Sequence, residues 1–300
     1  MSKPIVLIAG ILLLALSLQS QGDVPILLTK SYKKVRYAPE QGAKFTKIEA
    51  VKSLDAKGVL KLGGKSSARL YCNGAFKELE GKGAYAVGSL FQEELRYTPM
   101  GYANLLNDRL MAAIGGPKGS DTTSAVGGVI TIEAFPITVN TPTGKLAAGQ
   151  TIPLRWQSMQ EVPEYRFIIK DGAGKEVHSA TVNKMEYALD LGSLGLKTGI
   201  QYSWRVVQSG EERVSSNKYF FTITPAEEQE KVMKNLQEEE AYQQADPMMK
   251  KLMEGVWLEN FGFYYAADKA YQEAARIEGK QGLSENMRRA FTRRWRRSLE

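Results

Sequence analysis

The sequence predicts a multidomain chain, mainly β with an α-helical C-terminal region: a Gly-rich β domain, a β-sandwich and a bundle built on a helical hairpin. Three patterns predict it. Short apolar runs alternate with period two and break at Gly-Gly or Asn-Gly pairs up to about residue 135. Longer strand-like runs then follow one another to Thr224, and from Pro225 the apolar residues recur every three or four positions. A length of 300 residues allows two or three such units, and 43% hydrophobic with 24% charged residues excludes a wholly disordered chain.

The chain begins with the pattern of a signal peptide, residues 1–22. Lys3 gives a positive start, Ile5 to Leu18 is an apolar run of about 14 residues, and small residues at Ser20 and Gly22 suit cleavage after Gly22. A bilayer span needs about 20 apolar residues, so a retained N-terminal anchor fits less well. No cysteine follows the run to carry a lipid. We therefore expect an exported protein, periplasmic or associated with the cell envelope. Cys72 is the single cysteine, so no disulfide forms within the chain. It could link two copies as a homodimer, but burial in a strand is the commoner fate of a free cysteine.

Residues 23–135 form the first unit. Val59 to Leu62 and Ala68 to Cys72 alternate, and Asn73-Gly74 marks a tight turn to a strand at Phe76 to Glu80. "GAYAVGSL" adds another strand, and the whole reads as a small, strongly bent sheet of local hairpins. A helical and Gly-rich insertion is expected near 97–128: Leu105, Leu106, Leu110, Met111 and Ile114 have helical spacing, and Gly115 to Gly128 reads as a linker. Residues 136–224 carry six or seven short strands, including a hairpin around Asp171-Gly172-Ala173-Gly174, which is sandwich spacing. Trp156 and Trp204 are expected to point inward as core anchors. Residues 225–300 are helical. Thr224-Pro225 before Glu227 and Glu228 is a helix start, and further helices are expected at Pro247 to Asn260, Phe263 to Glu278 and Ser284 to Leu299.

Three resemblances follow. "GVLKLGGKSSARLYCNGAFKELEGKGAYAVGSL", with "TTSAVGGVI" as a closing strand, resembles a FecR-like domain over about 80 residues. FecR regulators carry a cytoplasmic helical segment and a membrane helix ahead of that domain, so a sigma-factor-regulating role does not transfer. "TPTGKLAAGQTIPLRWQS" and "GLKTGIQYSWRVV" resemble strands of immunoglobulin-like or fibronectin-type sandwiches, without the paired cysteines of the former. Gly255, Ala267, Tyr271 and Ala274 fall at the small and aromatic packing positions of a tetratricopeptide hairpin, which the tail resembles in a short form. These resemblances imply binding modules.

The inventory of reactive residues is thin. His178 is the single histidine, two residues after Glu176, and nothing in the sequence marks a serine and acid that would converge on it. One His and one Cys give no zinc spacing, and "GKGAYAVG" lacks the strand–loop–helix context of a phosphate loop, so no cofactor or metal is expected. Acid pairs such as Glu93-Glu94 need a cleft before they mean anything. The tail carries the sharper signal. Glu227, Glu228, Glu230, Glu238, Glu239 and Glu240 are clustered, whereas Arg288, Arg289, Arg293, Arg294, Arg296 and Arg297 make the last helix basic, with Phe291, Trp295 and Leu299 on one stripe. The stripe either packs on the preceding hairpin, with the arginines solvated or paired to the acidic helix, or meets an anionic membrane surface. Nucleic acid is not expected as a partner. The sequence thus reads as a non-catalytic envelope scaffold that binds a protein partner through its β modules and helical hairpin. A peripheral membrane-surface protein and an unrecognised envelope hydrolase are the alternatives.

Overall fold

The computed structural model describes residues 26–48, 52–94, 102–114, 136–279 and 282–298. The signal-like segment, the Gly115 to Gly128 linker and the "TTSAVGGVI" strand lie outside the described residues. No helix among the described residues is long and apolar enough to cross a membrane.

The described residues of the front unit form eight short strands: β1 (Ile26–Tyr32), β2 (Val35–Ala38), β3 (Thr46–Lys47), β4 (Lys52–Leu54), β5 (Val59–Leu62), β6 (Ser67–Cys72), β7 (Ala75–Glu80) and β8 (Gly83–Ala86). Asn73 (φ 45°) and Gly74 (φ 91°) make the expected tight turn between β6 and β7. The expectation of one bent sheet of local hairpins needs correction. Two antiparallel sheets form, ordered β4-β1-β6-β7 and β3-β2-β5-β8. The reason is that β1 is buried on both faces, which a single half-solvated sheet does not permit. Ile26 and Leu28 point into the front core with Leu60, Leu70 and Cys72, whereas Leu27 points the other way, into the main core with Tyr71.

The middle unit is a two-sheet sandwich. Its strands are β9 (Ile137–Val139), β10 (Gly144–Ala147), β11 (Thr151–Ser158), β12 (Tyr165–Lys170), β13 (Glu176–Val182), β14 (Glu186–Asp190), β15 (Gln201–Gln208), β16 (Glu211–Ser215) and β17 (Tyr219–Thr224). One sheet runs β10-β17-β15-β12-β13 with β16 on β15, and the other runs β14-β11-β9. This division of strands, with a first strand split between the sheets, is that of immunoglobulin and fibronectin-type modules. Tyr202 adds their corner contact: its Oη accepts a hydrogen bond from the Lys197 backbone N–H at 2.9 Å, five residues upstream. Trp156 and Trp204 point inward as expected, at 2% and 1% exposure. Trp156 meets Tyr165 edge-on, and Trp204 packs on Phe167 and Tyr219.

The tail holds α2 (Ala226–Gln237), α3 (Glu240–Gln244), α4 (Pro247–Asn260), α5 (Tyr264–Glu278) and α6 (Leu283–Arg297). Thr224 is the last residue of β17 and does not cap α2 through its side chain. At α4, Asp246 caps instead, its carboxylate accepting from the Met249 N–H at 2.8 Å ahead of Pro247 at the first position. Gly255 of α4 is required by closeness. A Cβ there would lie 2.7 Å from the Tyr271 ring of α5. The remaining helix, α1 (Tyr102–Ile114), packs mainly on α6 and α4 rather than on the strands it follows.

One apolar core joins these parts. Sandwich residues Trp204 and Phe221, tail residues Met249, Tyr271 and Phe291, and Leu106 and Leu110 of α1 all belong to it. The tail is pinned to the sandwich by Trp295 stacked on Tyr219 at 5.9 Å and by the Lys145 N–H donating to the Gly262 carbonyl at 2.8 Å. The front unit is pinned through the Arg69–Asp246 ion pair and by the Asn73-Gly74 turn lying against Ala241.

Candidate interaction surface on the last helix

The sequence of α6 divides its side chains by direction. Met287, Phe291 and Trp295 recur every fourth residue and turn inward. Phe291 lies 5.4 Å from the Tyr271 ring, and Trp295 is 4% exposed against Tyr219. The aromatic stripe is therefore largely spent on packing; Trp295, expected at the surface, is 4% exposed, and what it does show lines the groove described below. Leu299 lies outside the described residues.

The six arginines separate into roles. Arg294 turns inward with the stripe, donating through Nε and Nη2 to the two oxygens of Glu259 at 2.7 and 2.9 Å. Burial opposes its charge, but the Glu259 carboxylate outweighs that and raises its pKa. Tyr271 Oη also donates to Glu259, at 2.9 Å, and Arg109 of α1 stands 3.5 Å away. Arg294 is thus a half-buried tie, through the buried Glu259 carboxylate, between α4, α5 and α6. Arg288 pairs with Asp268 at 2.9 Å and Arg289 with Glu285 at 3.0 Å. Arg293 and Arg296 are exposed and make no ion pair with another described residue. Arg297 is exposed at the helix end and has its own partner. Arg288, Arg289 and Arg294 pair with Asp268, Glu285 and Glu259 rather than with the acids of α2, of which Glu228 pairs with Lys145.

Arg288, Arg289, Arg293 and Arg296 line an open groove of about 610 Å³ together with Asn140 and Pro142 of the sandwich, and its two acids, Asp268 and Glu285, are the ones already paired with Arg288 and Arg289. Sequence reasoning missed Asn140 and Pro142, since nothing local links a β9–β10 loop to a helix 150 residues later. The packing of Trp295 on Tyr219 brings them together. A second groove of about 600 Å³ lies over α4 and α5, lined by Lys251, Glu254, Tyr265, Lys269 and Glu273 among others. Its acids are tied down: Glu254 by Lys251 at 2.7 Å and Tyr242 Oη at 2.9 Å, Glu273 by Arg276 at 2.6 Å.

The other sequence candidates sit elsewhere. Gly255, Ala267, Tyr271 and Ala274 are all buried in the α4–α5 contact. His178 Nε2 lies 2.7 Å from Tyr187 Oη, and burial lowers its pKa. Neighbouring Glu176 is held by Arg166 at 2.8 Å, not by the imidazole. Cys72 is fully buried, which pushes its thiol pKa up to about 12 and shields the sulfur within the front core. Among the described residues no group of three His, Cys, Asp or Glu could hold a metal ion.

No family model and no curated protein matches this chain. Solved structures similar to it include fibronectin(III)-like modules of Clostridium thermocellum CbhA, 11% identical over 66% of this chain and 81% of that one, with a TM-score of 0.21. CopC from Methylosinus trichosporium OB3b is 24% identical over 30% of this chain and 94% of that one, TM-score 0.23. Faecalibacterium prausnitzii β-glucuronidase is 15% identical over 29% of this chain but only 14% of that one, TM-score 0.22. At such scores the likeness adds nothing about activity, and the fold assignment rests on the strand order: a β-rich chain with an immunoglobulin/fibronectin-like sandwich and a helical C-terminal region.

Proposed function

We propose that this chain is a non-catalytic scaffold of the cell envelope that binds an acidic protein partner at the arginine face of α6 and the facing sandwich loop. The observation that carries this reading is the groove in which Arg288, Arg289, Arg293 and Arg296 meet Asn140 and Pro142. Guanidinium groups on a helix held from behind by Phe291 and Trp295 are positioned without loss of core packing, and they suit carboxylate recognition. The tied carboxylates of both grooves favour binding over acid–base chemistry. The apolar start of the sequence supports export. Within this reading the front unit is a FecR-like module and α4–α5 a tetratricopeptide-like hairpin, supported by the "SARLYCNG" turn and by the Gly255–Tyr271 contact.

The test is an affinity capture from an envelope extract with the full chain and with an Arg289→Ser/Arg293→Ser/Arg296→Ser variant. A protein retained by the first and lost by the second supports the proposal. A protein retained equally by both sinks it. Attachment to an anionic membrane is the second reading, favoured by the same arginines. It loses the help of Phe291 and Trp295, which are buried. Sedimentation with phosphatidylglycerol vesicles, lost in the arginine variant, would support that reading instead.

A further inference from the structure

Helix α1 shows what kind of ligand the tail can hold. Its inward face carries Leu106, Asn107, Leu110 and Ala113, with Arg109 beside them, and it lies on α4 and α6. Asp108, Met111 and Ala112 face outward. Arg109 Nη2 reaches toward Glu259, whose side chain is only 5% exposed. The receiving surface therefore takes an amphipathic helix with leucines four apart and a cation one residue before the second.

The fit of α1 to this surface is imperfect in two places. Asn107 is 3% exposed, yet among the described residues neither its Nδ2 nor its Oδ1 finds a hydrogen-bond partner. Arg109 Nε is likewise buried without a partner among the described residues, and the Arg109–Glu259 approach at 3.5 Å is looser than the 2.7 Å contact of Arg294 to the same carboxylate. A buried amide left unmade weakens docking by roughly fivefold to a hundredfold. Stability alone would favour an apolar residue at position 107.

We propose that the surface formed by α4 and α6 is a receptor for an amphipathic helix of a partner protein, and that α1 occupies it in the partner's absence. The partner helix carries an apolar residue in place of Asn107 and a cation in place of Arg109. A second copy of this chain is the poorer occupant, because its own α1 brings the same unmet amide and gains nothing by exchange. This receptor is separate from the arginine groove, so either proposal can fail without the other.

The test uses labelled peptides spanning residues 102–114. A helix this short is marginal in water, so a lactam joins Asp108 to Ala112→Lys on the outward face. Fluorescence anisotropy is read against the full chain and against a full-length Leu106→Asp/Leu110→Asp variant whose own α1 cannot dock. The Asn107→Leu peptide should bind the variant at least about tenfold tighter than the natural peptide does. It should bind the unaltered chain at least about tenfold more weakly than the variant. Adding Arg109→Glu to the peptide should abolish binding. No binding to a variant that keeps its far-UV spectrum and melting transition overturns the proposal, as does equal affinity for both proteins. Should the variant unfold, hydrogen exchange of the unaltered chain decides: α1 amides should exchange faster than those of α5, and equal protection overturns the proposal. A stable dimer with exchanged α1 helices would put a second copy in the receptor and also overturn it.

Discussion

Replacing Glu259 by Gln tests whether the buried carboxylate, rather than apolar packing alone, locks the helical tail. The substitution keeps the shape and removes the charge. Arg294 would then present two donors, now 2.7 and 2.9 Å from carboxylate oxygens, to a neutral amide that offers one acceptor. Removing one partner of a buried ion pair costs about 3–5 kcal/mol. The Arg294 side chain is 27% exposed, so water can reach part of the guanidinium, and the lower end, about 3 kcal/mol, is the reasoned value. At roughly 2–4 °C per kcal/mol for a unit of this size, the far-UV melting midpoint should fall by about 6–12 °C. Arg294→Gln should cost a similar amount. The double variant should be less damaged than the sum of the two by about 2 kcal/mol, since groups in direct contact couple. A Glu259→Gln chain that melts within about 1 °C of the unaltered one, or strictly additive losses, would refute this account.

Gly255→Ala should destabilise by about 1 kcal/mol in urea unfolding: a Cβ 2.7 Å from the Tyr271 ring forces overpacking of about 1–3 kcal/mol, while alanine's helix preference returns about 1. Gly255→Val should cost more, and a stabilised alanine variant would show that the ring yields freely. Cys72 should resist maleimide in the native chain and react at once in denaturant, because burial both shields the thiol and raises its pKa to about 12; rapid native labelling would contradict the fold of the front unit. Burial raises the pKa of Tyr271 well above the usual value, and burial with the Glu254 bond raises that of Tyr242 to about 12. Both folded values lie above the unfolded one of about 10, so stability should hold below pH 10 and fall as pH climbs through the folded values. Tyr271→Phe should flatten that alkaline loss, and an unchanged pH profile would count against it.

What the sequence made legible was local. The Asn73-Gly74 turn, the alternation of β11 with Ile152, Leu154 and Trp156 inward, and the helices around Gly262 follow from periodicity and from residues with special backbone freedom. What escaped was long-range. Pairing of β1 with β6 joins Leu28 to Leu70, and only the finished fold shows that Leu27 faces a second core. The tie of Glu259 to Arg294 did leave a trace. Glu259 falls in phase with Leu252, Gly255 and Val256, and Arg294 with Met287, Ala290 and Phe291, so each interrupts an apolar stripe at helical spacing. Two opposite charges on two apolar faces are a signature of a buried pair. The basic run around Arg294 hid it, because five neighbouring arginines suggest a solvated surface.

The continuous core decides how the surface readings can be tested. Cutting the chain at Thr224 removes Trp295 from Tyr219 and Gly262 from Lys145, and strips α1 of both helices it lies on. Such a chain exposes the faces of Tyr219, Leu146 and Leu106, all now in the shared core, and bare apolar area of that kind attracts proteins without specificity. Loss or gain of a captured protein on truncation would therefore say little about the arginines. The truncated chain should bind a hydrophobic dye and self-associate, whereas the Arg289→Ser/Arg293→Ser/Arg296→Ser variant, altered only on its outer face, should keep the sedimentation behaviour of the unaltered chain with a midpoint within about 2 °C of it. If the truncated chain instead shows no added self-association and its sandwich melts where the full chain does, the sandwich and tail are independent bodies, and the rigid backing claimed for the arginine groove is gone.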